Sequence, residues 1–190
     1  MASVVGIVLG AGASRRLGRP KQTLPLGDTT LLGRVVRNAH ASSLDRVVLV
    51  VGGAADGALA GLPDSRAEVA YNEAYGEGCA SSLLAGLDAA GDPDAAMLLL
   101  GDMPGVDASI IDAVRSGWEA RRPWGLLTSY DGGVGHPFVF SAAAFPSLRE
   151  LHGDKAVWKL VDRMERLRLE RPRPRDVDTW EDYEALLRTG

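Results

Sequence analysis

The chain alternates short, unbroken apolar runs with stretches of helical spacing. Val4-Val5-Gly6-Ile7-Val8-Leu9 is a continuous run rich in β-branched residues, the pattern of a strand buried on both faces. Arg46 to Val51, closed by Gly52-Gly53, and Ala95 to Leu100 read as further buried strands, and Glu68 to Tyr71 as a shorter strand. Helical spacing fills the gaps between them. Leu31, Leu32, Val35, Val36 and Ala39 share one face behind a cap at Thr29 or Thr30. An Ala-rich stretch ends near Pro63. Leu83, Leu84 and Leu87 pattern a helix over Ala80 to Ala90, and Ile110, Ile111, Val114 and Trp118 follow a cap at Asp107 or Ser109.

The second half predicts strands at Gly125 to Ser129 and Pro137 to Phe140, with a turn at Asp131-Gly132-Gly133 between them. Helices follow around Ala142 to Leu151 and Lys155 to Met164. Leu167 to Glu170 alternates like an edge strand. A Pro/Arg-rich linker, Arg171 to Arg175, leads to Asp176-Val177-Asp178 and a last helix from Thr179. Strand–helix alternation with no internal repeat and no domain linker predicts one α/β domain, residues 1–190, with a mostly parallel sheet. Ligands of such sheets lie beyond the carboxyl ends of the strands. The polar, glycine-containing segments Gly10 to Leu26, Asn72 to Gly78 and Gly101 to Pro104 fall there.

Composition narrows the classes. With 190 residues and 46% hydrophobic content the chain can bury a core and is not a disordered sequence. A net charge of -4 argues against a protein that grips nucleic acid or an anionic membrane. One cysteine, Cys79, excludes an internal disulfide framework and a cysteine-cluster zinc site. Met1-Ala2-Ser3 has no basic leader, and no apolar run is long enough to span a bilayer, so the expectation is a soluble cytoplasmic protein.

The first loop concentrates the chemistry. Gly10-Ala11-Gly12-Ala13-Ser14-Arg15-Arg16-Leu17-Gly18-Arg19-Pro20-Lys21 follows a buried strand directly. Its glycines let the backbone approach a ligand, its amides can form an anion nest, and its basic side chains pair with phosphate oxygens. A dinucleotide fingerprint would need glycine where Arg15 stands, and a P-loop would need Gly-Lys-Ser/Thr. The loop is neither. The chain has lysine only at 21, 155 and 159, which singles out the one at the end of this loop.

This loop resembles the signature L-A-A-G-x-S-x-R-M-G-x-x-K of the MobA-like nucleotidyltransferases, with Gly10 for the first alanine and Leu17 for the methionine. The Arg-Pro-Lys-Gln-Thr-Leu-Pro continuation is most similar to the molybdenum cofactor cytidylyltransferase branch. Asn72-Glu-Ala-Tyr-Gly-Glu-Gly78-Cys-Ala-Ser-Ser82-Leu resembles the family's base-side segment. Leu100-Gly101-Asp102-Met103-Pro104 resembles its G-D-x-P motif, and Gly135-His136-Pro137-Phe138-Val139-Phe140 its acceptor-side G-x-P-x-x-F segment. Asp176-Val-Asp178-Thr-Trp-Glu-Asp-Tyr resembles its D-I-D-T-P-E-D-Y ending. Gly153-Asp154-Lys155-Ala156 resembles G-D-x-G-A-R, but Ala156 replaces a glycine and no arginine follows. Together the matches run from the first strand to the last helix.

The resemblance implies a Rossmann-like three-layer domain of nucleotidyltransferase type, with a nucleotide-binding half, 1–104, and an acceptor-binding half, 105–190. It implies transfer from CTP or another NTP to a phosphorylated pterin acceptor, with Mg²⁺ as cofactor and a molybdoenzyme as a further partner that receives the product. Leu9, Gly10, Ala11, Gly12, Ser14, Arg15, Lys21, Asn72, Gly78 and Ser82 are then the nucleotide set, with Lys21, Arg16 and Asp102 catalytic. Gly135, His136, Pro137, Asp154 and Lys155 form the acceptor set, and Asp102 and Asp178 the metal ligands. At several positions a second reading stays open: Asp102 or Asp178 as a helix cap, the Ser81-Ser82 pair as an N-cap, and His136 as a structural loop histidine. The alternatives for the whole chain are a guanylyltransferase or another NTP transferase with a different acceptor, or a non-catalytic chaperone for the molybdenum cofactor.

Overall fold

The apolar runs do become buried strands. In the computed structural model, which describes residues 2–12, 18, 20–62, 66–153 and 156–189, the chain order is β1 (Val4–Leu9), β2 (Pro25–Leu26), β3 (Thr29–Thr30), α1 (Leu31–His40), β4 (Arg46–Val51), α2 (Ala55–Ala60) and β5 (Glu68–Tyr71). There follow α3 (Cys79–Ala90), β6 (Ala95–Leu100), α4 (Ala108–Arg121), β7 (Gly125–Tyr130), β8 (Gly133–Ser141), α5 (Phe145–Arg149), β9 (Glu165–Arg168) and α6 (Trp180–Thr189). Among the described residues, one seven-stranded sheet has the order β5-β4-β1-β6-β8-β7-β9. β5, β4, β1 and β6 pair in parallel, β8 runs antiparallel to both its neighbours, and β9 returns parallel to β7. No helix among the described residues is long and apolar enough to cross a membrane.

Alternation along the strands divides the core into two layers. Val4 and Val8 of β1, Leu49 of β4 and Met97 of β6 pack with Val35 of α1 and Ile110, Val114 and Trp118 of α4. Val5, Ile7, Val48, Val50 and Leu98 face the other way, onto Leu83 and Leu87 of α3 and Leu160. Helices thus cover both faces, as fully apolar parallel strands require. Thr30 caps α1 through the amide of Gly33, and Asp107 caps α4 through that of Ile110. Asp102, weighed as a helix cap, is therefore not needed for capping.

Three segments differ from the sequence expectation. The expected helix at Ala142 to Leu151 is a 3-10 turn, Ala142–Ala144, followed by the short α5. The one expected at Lys155 to Met164 is described as a 3-10 helix, Ala156–Arg163. Val157 and Leu160 are both buried there, and the three-residue turn keeps them on one face. The edge strand lies two residues earlier than the alternation suggested. Pairing with β7 sets its register, with Leu167 opposite Thr128 and packed on Gly117 of α4. The loop after β1 also contains an unforeseen hairpin, β2–β3, turning through Gly27 at φ 63.

α3 lies close on the sheet because Gly86 has no side chain. A Cβ there would strike Cγ2 of Ile7 and approach Cγ2 of Val50 to 3.0 Å. Gly86→Ala is expected to destabilise the fold, because overpacking costs about 1–3 kcal/mol and outweighs a helix-propensity gain of at most about 1 kcal/mol. Urea denaturation should show a lower midpoint with an unchanged slope.

Candidate active site

All the parallel strands end on one rim, and backbone hydrogen bonds extend their ladders one residue beyond it. Gly10 N–H donates to Val50 O (2.8 Å), Gly101 N–H to Leu9 O (3.0 Å) and Asn72 N–H to Val51 O (2.8 Å). The rim is tight: a Cβ on Gly101 would lie 2.8 Å from Leu9 O, and one on Gly10 3.1 Å from Val50 O. Glycine at these two positions lets the loops leave the sheet side by side. Gln22, almost fully buried, donates from Nε2 to Gly12 O at 2.7 Å and ties the start of the first loop to its end. That tether carried no motif in the sequence. Ser14 and Arg15 of the expected nucleotide set and Arg16 of the expected catalytic set lie outside the described residues, as do Asp154 and Lys155 of the acceptor set.

The rim holds a charged cluster drawn from three distant segments. Lys21 Nζ donates to Asp102 Oδ2 at 2.5 Å and to Asp178 Oδ1 at 2.8 Å. The Lys21 and Asp102 side chains are only 14% and 19% exposed, while Asp178 is 42% exposed. Burial alone would pull the Lys21 ammonium down, but Asp102 and Asp178 reverse this and hold it above the ordinary lysine value. Burial pushes the Asp102 carboxyl up against the pull of Lys21, and Asp178 and Asp176 add to the rise. Asp178 is not the cap of α6. Thr179 takes that role: its Oγ1 accepts from the Asp182 amide, and Asp182 Oδ2 accepts from the Thr179 amide at 2.9 Å. The C-terminal segment is fastened to the site by Val177 N–H donating to Asp102 O and Tyr183 O–H donating to Pro25 O.

A divalent cation fits this cluster. Asp102 Oδ1 is buried and has no hydrogen-bond partner among the described residues, which leaves a hard oxygen open beside a second carboxylate. No group of three or more candidate metal-ligand side chains occurs among the described residues. Two carboxylates suit a cation that completes its shell with phosphate oxygens and water.

In the segment after β5, Asn72 Nδ2 donates to Ser81 Oγ (3.0 Å) and Ser82 Oγ (2.9 Å), and Asn72 Oδ1 accepts from the Ala74 amide. Ser81 donates to the carbonyls of Ala74 and Gly78. Neither serine caps α3; the cap position is Gly78, at φ 106, with no side-chain hydrogen bond. Asn72 and Ser82 are buried and shape this loop from beneath. Tyr75 lies over Gly52 and Gly53, where an added Cβ would collide with its ring.

Gly135, His136 and Pro137 are buried at the amino end of β8, which antiparallel pairing brings to the same rim. Their carbonyls are engaged: Tyr130 O–H donates to His136 O and Thr128 Oγ1 to Pro137 O, both at 2.7 Å, and the Arg173 side chain lies against Gly135. Burial pushes His136 down to about 4, so its ring is neutral at physiological pH. The ring stacks on Phe138 at 4.2 Å, and Trp158 meets both edge-on. The sequence left His136 open between a donor to a phosphate or pterin and a structural loop histidine, and burial keeps its ring neutral in either role. Trp158, 41% exposed and unremarked in the sequence, covers that ring pair.

Glycine strand exits, a buried lysine and two carboxylates thus meet at the carboxyl rim of an α/β sheet, the edge where ligands of such sheets bind. The chain belongs to the family described as the MobA-like NTP transferase domain, whose model matches residues 6–168, and it is an enzyme of the nucleotidyltransferase class. It is 29% identical to the molybdenum cofactor cytidylyltransferase of Escherichia coli K12 over 142 residues, 74% of this chain and 71% of the relative. It is 28% identical to the nicotine blue oxidoreductase of Paenarthrobacter nicotinovorans over 154 residues, 76% and 74% of the two chains. The crystal structure of Rv0371c from Mycobacterium tuberculosis H37Rv superposes with a TM-score of 0.89 at 38% identity, covering 98% of each chain. A manganese complex of Rv0371c superposes at 0.84 and 34% identity, covering 99% of this chain and 100% of that one.

The neutral burial of His136 has a stability consequence. Its value falls from 6.5 to about 4 on folding, so the unfolded chain binds the extra proton between those limits. The contribution of this site is fully present above pH 6.5 and is lost as the pH falls toward about 4, a difference of about 3 kcal/mol. His136→Phe should flatten the pH dependence of stability in that window, as measured by denaturant unfolding at a series of pH values.

Proposed function

We propose that the chain is a Mg²⁺-dependent cytidylyltransferase that joins CTP to the terminal phosphate of a molybdopterin-type cofactor and releases pyrophosphate. The observation that carries this reading is the meeting of Lys21, Asp102 and Asp178 at the rim, with Asp102 Oδ1 buried and open beside Asp178. The similarity to the Escherichia coli molybdenum cofactor cytidylyltransferase supports the choice of base and acceptor. The manganese complex of Rv0371c supports a divalent metal. A cytoplasmic location, a nucleotide-binding half at 1–104, an acceptor-binding half at 105–190 and delivery of the product to a molybdoenzyme belong to the same reading.

An oxygen of the acceptor phosphate attacks the α-phosphorus of CTP, the bond from that phosphorus to the bridging oxygen breaks, and pyrophosphate leaves with the electron pair. The acceptor oxygen is already ionised at neutral pH, so no side chain has to remove a proton. The work of the protein is positioning and charge neutralisation. Gly10, Ala11 and Gly12 present backbone to the triphosphate, with Ser14, Arg15 and Arg16 of the same loop. Lys21 meets the charge at the α-phosphate. Asp102 and Asp178 hold Mg²⁺, which, when bound, neutralises phosphate charge and polarises the reacting phosphoryl group. Asn72, Gly78 and Ser82 shape the base pocket, and Gly135, His136, Pro137, Asp154 and Lys155 border the acceptor.

A second reading keeps the chemistry and changes the acceptor. It is favoured by the Gly153-Asp154-Lys155-Ala156 segment, which lacks the second glycine and the arginine of the family pattern. Relatives of similar identity carry names as different as cytidylyltransferase and oxidoreductase, so likeness alone does not choose the acceptor.

Pyrophosphate release with CTP, GTP and ATP, each with and without molybdopterin cofactor, tests both readings. Release with CTP only when the cofactor is present is the expected result. Release that ignores the pterin but responds to another phosphorylated compound would select the second reading. Asp102→Asn should fold as the wild type by circular dichroism and lose on the order of a hundredfold or more in rate. A near-normal rate in that variant would overturn the metal assignment.

A further inference from the structure

Three charges share one small space at the rim, and their arrangement shows what balances the carboxylates of the proposed metal site. Lys21 Nζ reaches Asp102 Oδ2 at 2.5 Å and Asp178 Oδ1 at 2.8 Å, so one oxygen of each carboxylate is committed to the ammonium. The lysine side chain is 14% exposed, and it begins a 3-10 turn held by Leu24 N–H donating to Lys21 O. Its reach into the cluster is thus set by fixed backbone. An ammonium and a divalent cation are both drawn to the same pair of carboxylates, and their like charges repel at this range.

We infer that Lys21 is the resting counter-ion of Asp102 and Asp178, holding their carboxylates until a triphosphate draws it away, so that divalent metal and nucleotide enter together. This rests on the assignment of Asp102 and Asp178 as metal ligands. Without nucleotide, the metal must share the carboxylates with a cation already seated there. With nucleotide, the phosphate oxygens offer the ammonium another anionic partner, and the freed carboxylate oxygens join Asp102 Oδ1 as hard ligands. Metal and nucleotide therefore raise each other's affinity through one side chain, and linkage makes that coupling reciprocal. Lysine suits the exchange because its ammonium is a compact charge on a flexible stem with no fixed fork geometry.

The test measures Mn²⁺ binding by electron paramagnetic resonance, and its effect on Tm, in nucleotide-free protein. Wild type should bind Mn²⁺ weakly, with little rise in Tm. Lys21→Met should bind it at least about tenfold more tightly, the scale of one removed neighbouring charge. It should start from a lower Tm, because two carboxylates lose their counter-ion, and regain more of it on adding Mn²⁺. A Lys21→Met chain that folds only with Mn²⁺ present would also support the proposal. Equal Mn²⁺ affinity in Lys21→Met and wild type, with binding abolished by Asp102→Asn, would overturn the counter-ion role and leave the metal site standing. Binding untouched by Asp102→Asn would overturn the metal assignment and this inference with it. A second measurement needs no variant. The chain has lysine only at 21, 155 and 159, so side-chain ammonium signals can be followed by ¹⁵N NMR in wild type. The Lys21 signal should hold its position with Mg²⁺ alone and move with Mg²⁺ plus CTP. Movement with Mg²⁺ alone at the same concentration would overturn the proposal.

Discussion

One ammonium group ties this molecule together. Lys21 binds a carboxylate 81 residues downstream and another 157 residues downstream. Breaking a buried pair of this kind typically costs about 3–5 kcal/mol, because the remaining charge is left buried without a partner. The position of the C-terminal segment follows from that constraint. Val177 is held at the backbone of Asp102 and buried in a small cluster with Leu24, Leu31 and Tyr183. Tyr183 also reaches back to the β2–β3 hairpin. The tail thus closes the site against the loop that supplies the lysine, and the apolar cluster beneath keeps both in place.

The rest of the rim depends on close backbone approach. Parallel strands deliver their ends to one edge, but a ligand-binding edge also needs exits that do not block one another. Gly10 and Gly101 let two chains leave adjacent strands at contact distance, and Gly52-Gly53 make room for Tyr75 to lie across the end of β4. β8 contributes from the opposite direction, which is how Gly135 and His136 come to the same rim as the ends of the parallel strands. What this edge presents is a packed, neutral aromatic group beside a charged cluster.

Much of this was legible in the sequence, for physical reasons. Continuous apolar runs have few alternatives to a doubly covered strand, so β1, β4 and β6 were placed to the residue. Thr30 and Asp107 stood where caps are needed. Lys21 and Asp102 followed from rarity and from position at a strand end. Other features depended on tertiary contacts that leave no local pattern. Whether Asp178 capped a helix or joined the site was open until Thr179 and Asp182 were seen to cap each other reciprocally. His136 was open between an acceptor-side donor and a structural histidine; only the sheet shows it stacked and neutral. The 3-10 geometry of Ala156–Arg163 was hidden because a three-residue repeat over two turns matches a helical one almost as well. Gln22, which ties the first loop to itself, is an ordinary residue in an unusual place.

The net charge of -4 conceals a division of labour at the rim. The cluster joins one ammonium to two carboxylates, and burial pushes Asp102 toward its neutral form while Lys21 opposes that. Such a cluster favours any arrangement that brings a second positive charge. The sequence of the first loop adds glycines and a run of arginines, residue types that favour anions. Neither field is satisfied by a metal ion or a phosphate chain alone, since each would leave its neighbour uncompensated. A polyphosphate carrying its cation satisfies both at once. In the proposed function, selectivity for that combination comes from the pairing of the two fields more than from the affinity of either part.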